Sequence, residues 1–195
     1  MTLKNVFKEL QGKALNLLKE KIPSHLYYHN YEHTIDVIEA AKRIAKAENA
    51  SAEEIQILIT AAAFHDLGYI YSRENHEQKS CLIAREMLSS KGVNDDIIDT
   101  VCELILATKI PQNPKMKLSE IICDADLDYL GRDDYFPISQ NLFKEFQNFG
   151  IVKDENAWNR LQVKFLESHN YFTKTSIETR KSKKEEHLRM IKNRL

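Results

Sequence analysis

Glycine and proline are scarce in this chain, which contains five glycines and four prolines among its 195 residues. Both residues interrupt regular secondary structure, so their scarcity excludes a protein built mainly of long loops. We therefore expect short connections between elements and abundant regular structure. The hydrophobic share of 43% is sufficient for a folded core and argues against an intrinsically disordered chain.

Cysteine is also rare, and its spacing excludes two classes of small protein. The three cysteines are Cys81, Cys102 and Cys123, and none belongs to a Cys-x-x-Cys pair. This pattern argues against a disulfide framework or a thiolate zinc site and is typical of buried thiols in a reducing compartment. Residues 1–20 lack the apolar segment of a signal peptide, and no later stretch resembles a membrane span. We expect a cytoplasmic protein that does not enter a membrane.

An excess of positive charge is missing as well. The 28 basic and 29 acidic residues give a formal net charge of −1. Because positive charge supplies most of the affinity for a nucleic acid backbone, this balance argues against a long nucleic acid as partner. The near-neutral net charge suits a small substrate better than a charged polymer. The chain length fits one domain, and we expect residues 1–195 to form it without an internal boundary.

Apolar residues recur at intervals of three and four along most of the chain, and this period predicts helices. Ser51 and Glu54 form a capping box that opens a helix with an entirely apolar middle, which is typical of the centre of a bundle. We expect Gly68 to end this helix. A final helix, from about residue 176 to 194, is so charged that we expect it to pack only in part, with His187 at the surface. No segment alternates with period two, so the sequence predicts an all-α bundle.

Three short segments carry polar residues that a helical bundle rarely holds inside. YHNYEHT supplies His29 and His33 at a helix start, and FHDLGY supplies His65 and Asp66 at the end of the apolar helix. A charged aspartate beside a histidine on an apolar face is costly unless both groups are compensated. A surface position, a hydrogen-bonded buried pair or a bound metal would each provide that compensation.

The third segment, DADLDYLG, places three carboxylates on a mostly apolar helix. Asp124 and Asp128 are four residues apart and share a face, whereas Asp126 lies on the opposite side. Crowded carboxylates destabilise a helix unless cations or hydrogen-bond donors serve them. Two imidazoles and two carboxylates together form a mixed donor set that suits Mn²⁺, Fe²⁺, Co²⁺ or Zn²⁺ better than Ca²⁺.

The order His…His-Asp…Asp in these segments resembles the HD-domain superfamily of metal-dependent phosphohydrolases, especially its short single-domain members. The resemblance spans about residues 25–135 and leaves about 136–195 as C-terminal helices. It implies an HD-type helical bundle with a metal at its centre. The implied ligands are His33, His65, Asp66 and one aspartate of DADLDYLG, for which we choose Asp126 and keep Asp124 as the alternative.

The resemblance also implies an activity. A divalent ion (Mn, Fe, Co, Ni, Zn or Mg) would activate a water to hydrolyse a phosphomonoester or phosphodiester, with His65 and Asp66 as catalytic residues. The implied partner is a nucleotide or another small phosphorylated metabolite. Thr108 stands where some members carry a further histidine for a second metal, so we expect one ion. A non-catalytic nucleotide- or metal-binding module is the alternative, and the few histidines in later helices argue against an iron-dependent oxygenase.

Six residues near the motifs are candidates for contacting the substrate or supporting the ligands. They are His29, His76, Glu77, Asp124, Lys109 and Arg132. His76 and Glu77 would equally suit the solvent-facing start of a helix, where negative charge favours the helix dipole. Lys109 and Arg132 could bind phosphate or could be solvated surface charges.

Overall fold

Helices form the whole regular structure of the computed structural model, which describes residues 2–195. Within those residues no strand is present, which confirms the all-α prediction. The α-helices are α1 (Leu3–Lys21), α2 (Tyr31–Ala47), α3 (Ala52–Phe64), α4 (His76–Ser89), α5 (Asp95–Ala107), α6 (Lys117–Asp126), α7 (Tyr135–Asn148), α8 (Glu155–Ser168) and α9 (Lys174–Lys192). Short 3₁₀ helices, Leu67–Ile70 and Asp128–Gly131, follow the segments that end α3 and α6.

Helix α3 lies at the centre of the larger hydrophobic core, as its apolar middle predicted. Residues 58–64 are all buried, and α3 packs against α1, α2 and α5. Its start is fixed by Ser51 and Glu54, whose side chains each accept a hydrogen bond from the other's backbone amide. Burial of a large aliphatic or aromatic side chain contributes about 1.5–3 kcal/mol. This core therefore holds the end of α3, and with it His65, inside the protein.

Helix α2 begins at the position that brings His33 into its first turn. The side chain of Asn30 accepts a hydrogen bond from the backbone amide of His33 at 3.0 Å. Such a cap serves one of the amide groups that the first turn of a helix leaves without a partner. The cap thus fixes where the helix starts and which face carries His33.

The expectation that Gly68 ends α3 is wrong. The helix ends at Phe64, and Gly68 lies in the 3₁₀ helix that follows. A Cβ atom at Gly68 would lie 1.9 Å from the backbone oxygen of His76, so glycine permits the close approach of α4. Ser80 ties the same region together, because its hydroxyl accepts from the amide of Gly68 at 2.8 Å and donates to the carbonyl of His65 at 2.6 Å.

Helix α9 packs only in part, as its charged sequence predicted, but His187 lies in the packed face. His187 is 2% exposed and stacks on Tyr135, and its Nδ1 lies 2.9 Å from the carbonyl oxygen of Leu130. The expected surface position of His187 is therefore wrong. The buried residues of α9 form one narrow helical stripe: Ser176, Lys184, His187 and Ile191. None of the described helices combines the length and the apolar composition that crossing a bilayer requires.

Candidate metal centre

Four side chains from three distant segments converge at one point beside the end of α3. His33 Nε2 lies 3.5 Å from Asp66 Oδ2 and 3.2 Å from Asp126 Oδ1. His65 Nε2 lies 3.2 Å and 3.5 Å from the same two oxygens. Neighbouring ligands of an octahedral ion with bonds of about 2.1 Å are about 3 Å apart. The spacing therefore suits donors arranged around a single cation.

The polar atoms that meet at this point are not used elsewhere. His65 Nδ1 lies 2.8 Å from the carbonyl oxygen of Ala62, to which it donates, so its Nε2 carries a free lone pair. His33 Nε2, His65 Nε2 and Asp66 Oδ2 are buried and have no hydrogen-bond partner. Buried polar atoms nearly always have one. Three unpartnered atoms at one point fit a bound metal ion. One donor atom from each of His33, His65 and Asp66 lies within 4.8 Å of those of the other two.

The two carboxylates of the cluster favour the ionised state. Burial opposes ionisation of Asp66, but the neighbouring imidazole of His65 outweighs burial and holds the pKa of Asp66 below its usual range. Burial likewise opposes ionisation of Asp126, yet the neighbouring imidazoles of His33 and His65 lower its pKa to about 2. Two ionised carboxylates, of which Asp66 is buried and Asp126 partly exposed, form an attractive environment for a divalent cation beside two imidazoles.

Asp124, the alternative ligand, is engaged on another side of α6. Its Oδ1 accepts a hydrogen bond from the amide of Phe172 at 2.9 Å. Its Oδ2 accepts from the amide of Thr173 at 2.8 Å and from the Thr173 hydroxyl at 2.7 Å. The carboxylate of Asp124 is therefore engaged by residues 172 and 173 rather than by the four-residue cluster. Asp124 instead holds the segment that leads into α9, for which Thr173 is the N-terminal cap.

Arg132 also lies away from the expected substrate position. Its Nη1 lies 2.6 Å from Asp36 Oδ1, and its Nη2 lies 2.7 Å from Asp134 Oδ2. These two carboxylates neutralise the guanidinium, and Arg132 is not among the residues that line the cavity beside the cluster. The neighbouring buried carboxylate, Asp128, pairs with Arg180 at 2.8 Å. Arg132 thus belongs to an ion-pair network outside the cavity lining.

The cluster opens into a cavity of about 470 Å³. Asp66 and Asp126 line it, together with four of the six predicted supporting residues: His29, His76, Glu77 and Lys109. His76 Nε2 lies 3.6 Å from Asp66 Oδ1, and its Nδ1 lies 3.0 Å from the carbonyl oxygen of Arg73. Arg73 lines the cavity too, and sequence analysis missed it because no motif marks it.

Away from the cluster, the cavity continues between α7 and α8. We call this part the apolar arm; its apolar lining includes Leu142, Phe146, Trp158, Leu161 and Phe165. Polar side chains also line this part, and Gln162 Oε1 accepts hydrogen bonds from Tyr135 and Ser139 at 2.7 Å and 2.6 Å. Sequence analysis did not identify the apolar arm, because apolar residues at helical spacing look the same whether they line a core or a cavity.

Comparison with protein families and curated proteins gives two matches. Residues 30–130 match the family described as HD domain. The symmetrical bis(5'-nucleosyl)-tetraphosphatase of Halalkalibacterium halodurans is 35% identical over 95 residues, which cover 47% of this chain and 45% of that protein. The match thus spans about half the length of the curated relative, and α7, α8 and α9 lie beyond the family match.

Solved structures share the fold over almost the whole chain. A predicted HD superfamily hydrolase from an uncultured Thermotogales bacterium has a TM-score of 0.63 at 18% identity and covers 99% of this chain and 97% of its own. A protein from Lactobacillus plantarum has a TM-score of 0.68 at 18% identity, with coverage of 100% and 98%. YpgQ of Bacillus subtilis, solved in complex with ADP, has a TM-score of 0.62 at 18% identity, with coverage of 98% and 95%.

Proposed function

The chain belongs to the HD-domain family, and from this premise we propose that it is a metal-dependent phosphohydrolase that acts on a nucleotide. The observation that carries the proposal is that each of two imidazole nitrogens lies 3.2–3.5 Å from each of two carboxylate oxygens. The donors include buried atoms with no other partner. A purely structural histidine–aspartate pair would not need carboxylates from two segments and would satisfy its own hydrogen bonds.

In this proposal, His33, His65, Asp66 and Asp126 hold one divalent ion. When bound, such an ion supplies a water of lowered pKa and withdraws charge from a phosphoryl oxygen. The nitrogen and oxygen donors are compatible with Mn, Fe, Co, Ni, Zn or Mg. Asp66 and His65 act catalytically by fixing the reacting groups at the end of α3, which the hydrophobic core holds rigidly in place.

Positively charged side chains in the cavity provide the phosphate contacts. Lys109 and Arg73 line the cavity that also contains Asp66 and Asp126. Lysine and arginine are the usual partners of phosphate oxygens. These residues orient the phosphate groups of the substrate beside the metal centre.

The apolar arm supports a nucleotide rather than a small aliphatic phosphate. A cavity of about 470 Å³ whose lining combines aromatic and cationic side chains, with Arg73 over the ring of Phe146, suits a planar base joined to phosphate groups. The curated relative is named for dinucleoside tetraphosphates, and the Bacillus subtilis neighbour was solved with ADP. Both names concern adenine or nucleoside phosphates, which supports the same class of substrate here.

The test is a metal-dependence assay on the purified protein. We expect Mn²⁺ to raise the unfolding temperature and to support phosphate release from nucleotides, and we expect EDTA to remove both effects. Metal content measured by mass spectrometry should approach one ion per chain. Nucleotide binding and Mn²⁺ stabilisation without phosphate release would contradict the hydrolase and identify a binding module instead.

Trp158 offers a direct probe of where the base binds. It is the single tryptophan of the chain, it is 6% exposed, and it lines the apolar arm. Stacking or close packing of a base should change its fluorescence, so we expect saturable quenching on titration with ADP in the presence of Mg²⁺. Ribose 5-phosphate, which lacks a base, serves as the control and should leave the emission nearly unchanged. An equal response to both ligands would rule out base binding in the apolar arm.

A further inference from the structure

Two of the three cysteines face each other across the interface between α4 and α5. Cys81 Sγ lies 3.4 Å from the carbonyl oxygen of Cys102, and Cys102 Sγ lies 3.7 Å from the carbonyl oxygen of Cys81. Each thiol therefore touches the backbone of the other residue. A disulfide needs two residues whose side chains meet, because its geometry allows little variation in their separation. The reciprocal contacts meet this condition, and both cysteines lie outside the four-residue cluster and outside the cavity lining.

The surroundings of Cys102 favour its reactive form. The neighbouring thiol of Cys81 outweighs burial and lowers the pKa of Cys102 to about 7, and the positive charge of Arg85 acts in the same direction. The thiolate is the form of cysteine that reacts with peroxides. Cys81 is partly exposed, so a small oxidant can approach the pair from its side. Cys102 thus supplies the nucleophile, and Cys81 supplies the thiol that reacts with its oxidised form.

We propose that Cys81 and Cys102 form a reversible disulfide, which locks α4 to α5 when the protein meets hydrogen peroxide. The Cys102 thiolate attacks one peroxide oxygen, the O–O bond breaks, and the other oxygen takes a proton and leaves as water. The Cys81 thiol then attacks the sulfur of the resulting sulfenic acid, the S–O bond breaks, and a second water leaves. Each sulfur loses one electron, and the peroxide accepts both. A small dithiol reverses the change by thiol–disulfide exchange and becomes a cyclic disulfide itself.

The crosslink joins the two helices whose ends reach the cavity. Helix α4 begins with His76 and Glu77, and α5 is followed directly by Thr108 and Lys109, all of which line the cavity. The disulfide therefore restrains both helices without using a metal ligand. Its formation does not depend on the proposed phosphohydrolase function, so the two proposals succeed or fail separately.

The first measurement is thiol mapping of the full-length protein. The protein is reduced with dithiothreitol, freed of it, treated with excess hydrogen peroxide and then alkylated. We expect one of three thiols to remain alkylatable, the intact mass before alkylation to fall by two hydrogen atoms, and a non-reducing digest to contain the Cys81–Cys102 crosslink. Dithiothreitol should restore all three thiols. Three alkylatable thiols after peroxide treatment, a disulfide between two chains, or separate oxidation of the two sulfurs without a bond would overturn the proposal.

Serine variants assign the two roles and provide the matched control. In Cys81→Ser the sulfenic acid of Cys102 has no partner, so we expect a cyclic diketone to capture it at residue 102. Cys123→Ser is the control, because Cys123 is buried and its Sγ lies 3.1 Å from the carbonyl oxygen of Ala107 rather than beside another cysteine. This variant should form the disulfide as the wild type does. Loss of the disulfide in Cys123→Ser would contradict the pairing.

The second measurement is thermal unfolding, which tests whether the folded structure already suits the bond. The disulfide closes a loop of about 20 residues, so oxidation should raise the unfolding midpoint of the wild type by about 5–10 °C. Peroxide treatment of Cys102→Ser should leave its midpoint unchanged. A lower midpoint for the oxidised wild type would show that the bond distorts α4 and α5, and would overturn the claim that the two cysteines are arranged to form it.

Discussion

Asp66→Ala is expected to abolish metal-dependent phosphate release, with a rate loss of about three orders of magnitude or more, while the helical fold survives. Asp66 Oδ2 lies beside both ligand histidines, and Oδ1 faces His76. The substitution therefore removes one proposed metal ligand and the contact of its second oxygen with His76. Because Oδ2 has no hydrogen-bond partner to lose, the cost in folding free energy should be small. Phosphate release with Mn²⁺, bound metal and the circular dichroism spectrum are measured on the same preparation.

Asp133→Ala is the matched control for this experiment. The Asp133 side chain is 94% exposed and pairs with Lys183, away from the cluster. The control should keep full activity and one equivalent of metal. Activity of Asp66→Ala close to that of the control would show that Asp66 is not a ligand of the working ion.

Asp124→Asn is expected to lower the free energy of unfolding by about 3 kcal/mol, because hydrogen bonds to charged groups contribute about 1.5–3 kcal/mol and unsatisfied buried donors add to the loss. The two carboxylate oxygens accept three hydrogen bonds from Phe172 and Thr173. Asparagine has one acceptor oxygen, and its amide group would face a donor. Urea denaturation followed by circular dichroism measures the change.

The equivalent substitution at Asp126 should affect metal binding and activity rather than stability. Asp126→Asn should lose metal affinity and activity, and the unfolding free energy of the metal-free protein should change by less than about 1 kcal/mol, since its partners are two histidines rather than backbone amides. If Asp124→Asn lost the metal and Asp126→Asn lost stability, the assignment of the two aspartates would be reversed.

The motifs identified from the sequence account for the cluster but not for its surroundings. His33, His65, Asp66 and Asp126 could be chosen because histidine and aspartate are unusual on apolar helices and occur in a recognisable order. Asp124 and Arg132 could not be placed, because their partners come from distant parts of the chain. Asp124 is bound by residues 172 and 173, and Arg132 by Asp36 on α2.

The incorrect expectations for Gly68 and His187 also arose because the contacts that decide their positions come from other segments of the chain. A glycine after an apolar helix usually marks a C-terminal cap, but Gly68 is needed for the approach of the His76 backbone, which no local pattern reveals. His187 occurs in a strongly charged segment, and its burial follows from packing on Tyr135 and Leu130. The burial of Glu145 in α7 could not be predicted from the sequence, because a single glutamate on an amphipathic helix normally faces solvent.

Asp124 and Asp126 stand almost back to back on one turn of α6, and this joins two remote parts of the protein. The first aspartate anchors the entry to the C-terminal helix, and the second belongs to the cluster beside α3. Loss of the contacts at residues 172 and 173 is therefore expected to disturb the cluster, because Asp126 follows Asp124 by two residues. The segment that leads into α9, although beyond the family match, is thus coupled through α6 to the position of Asp126.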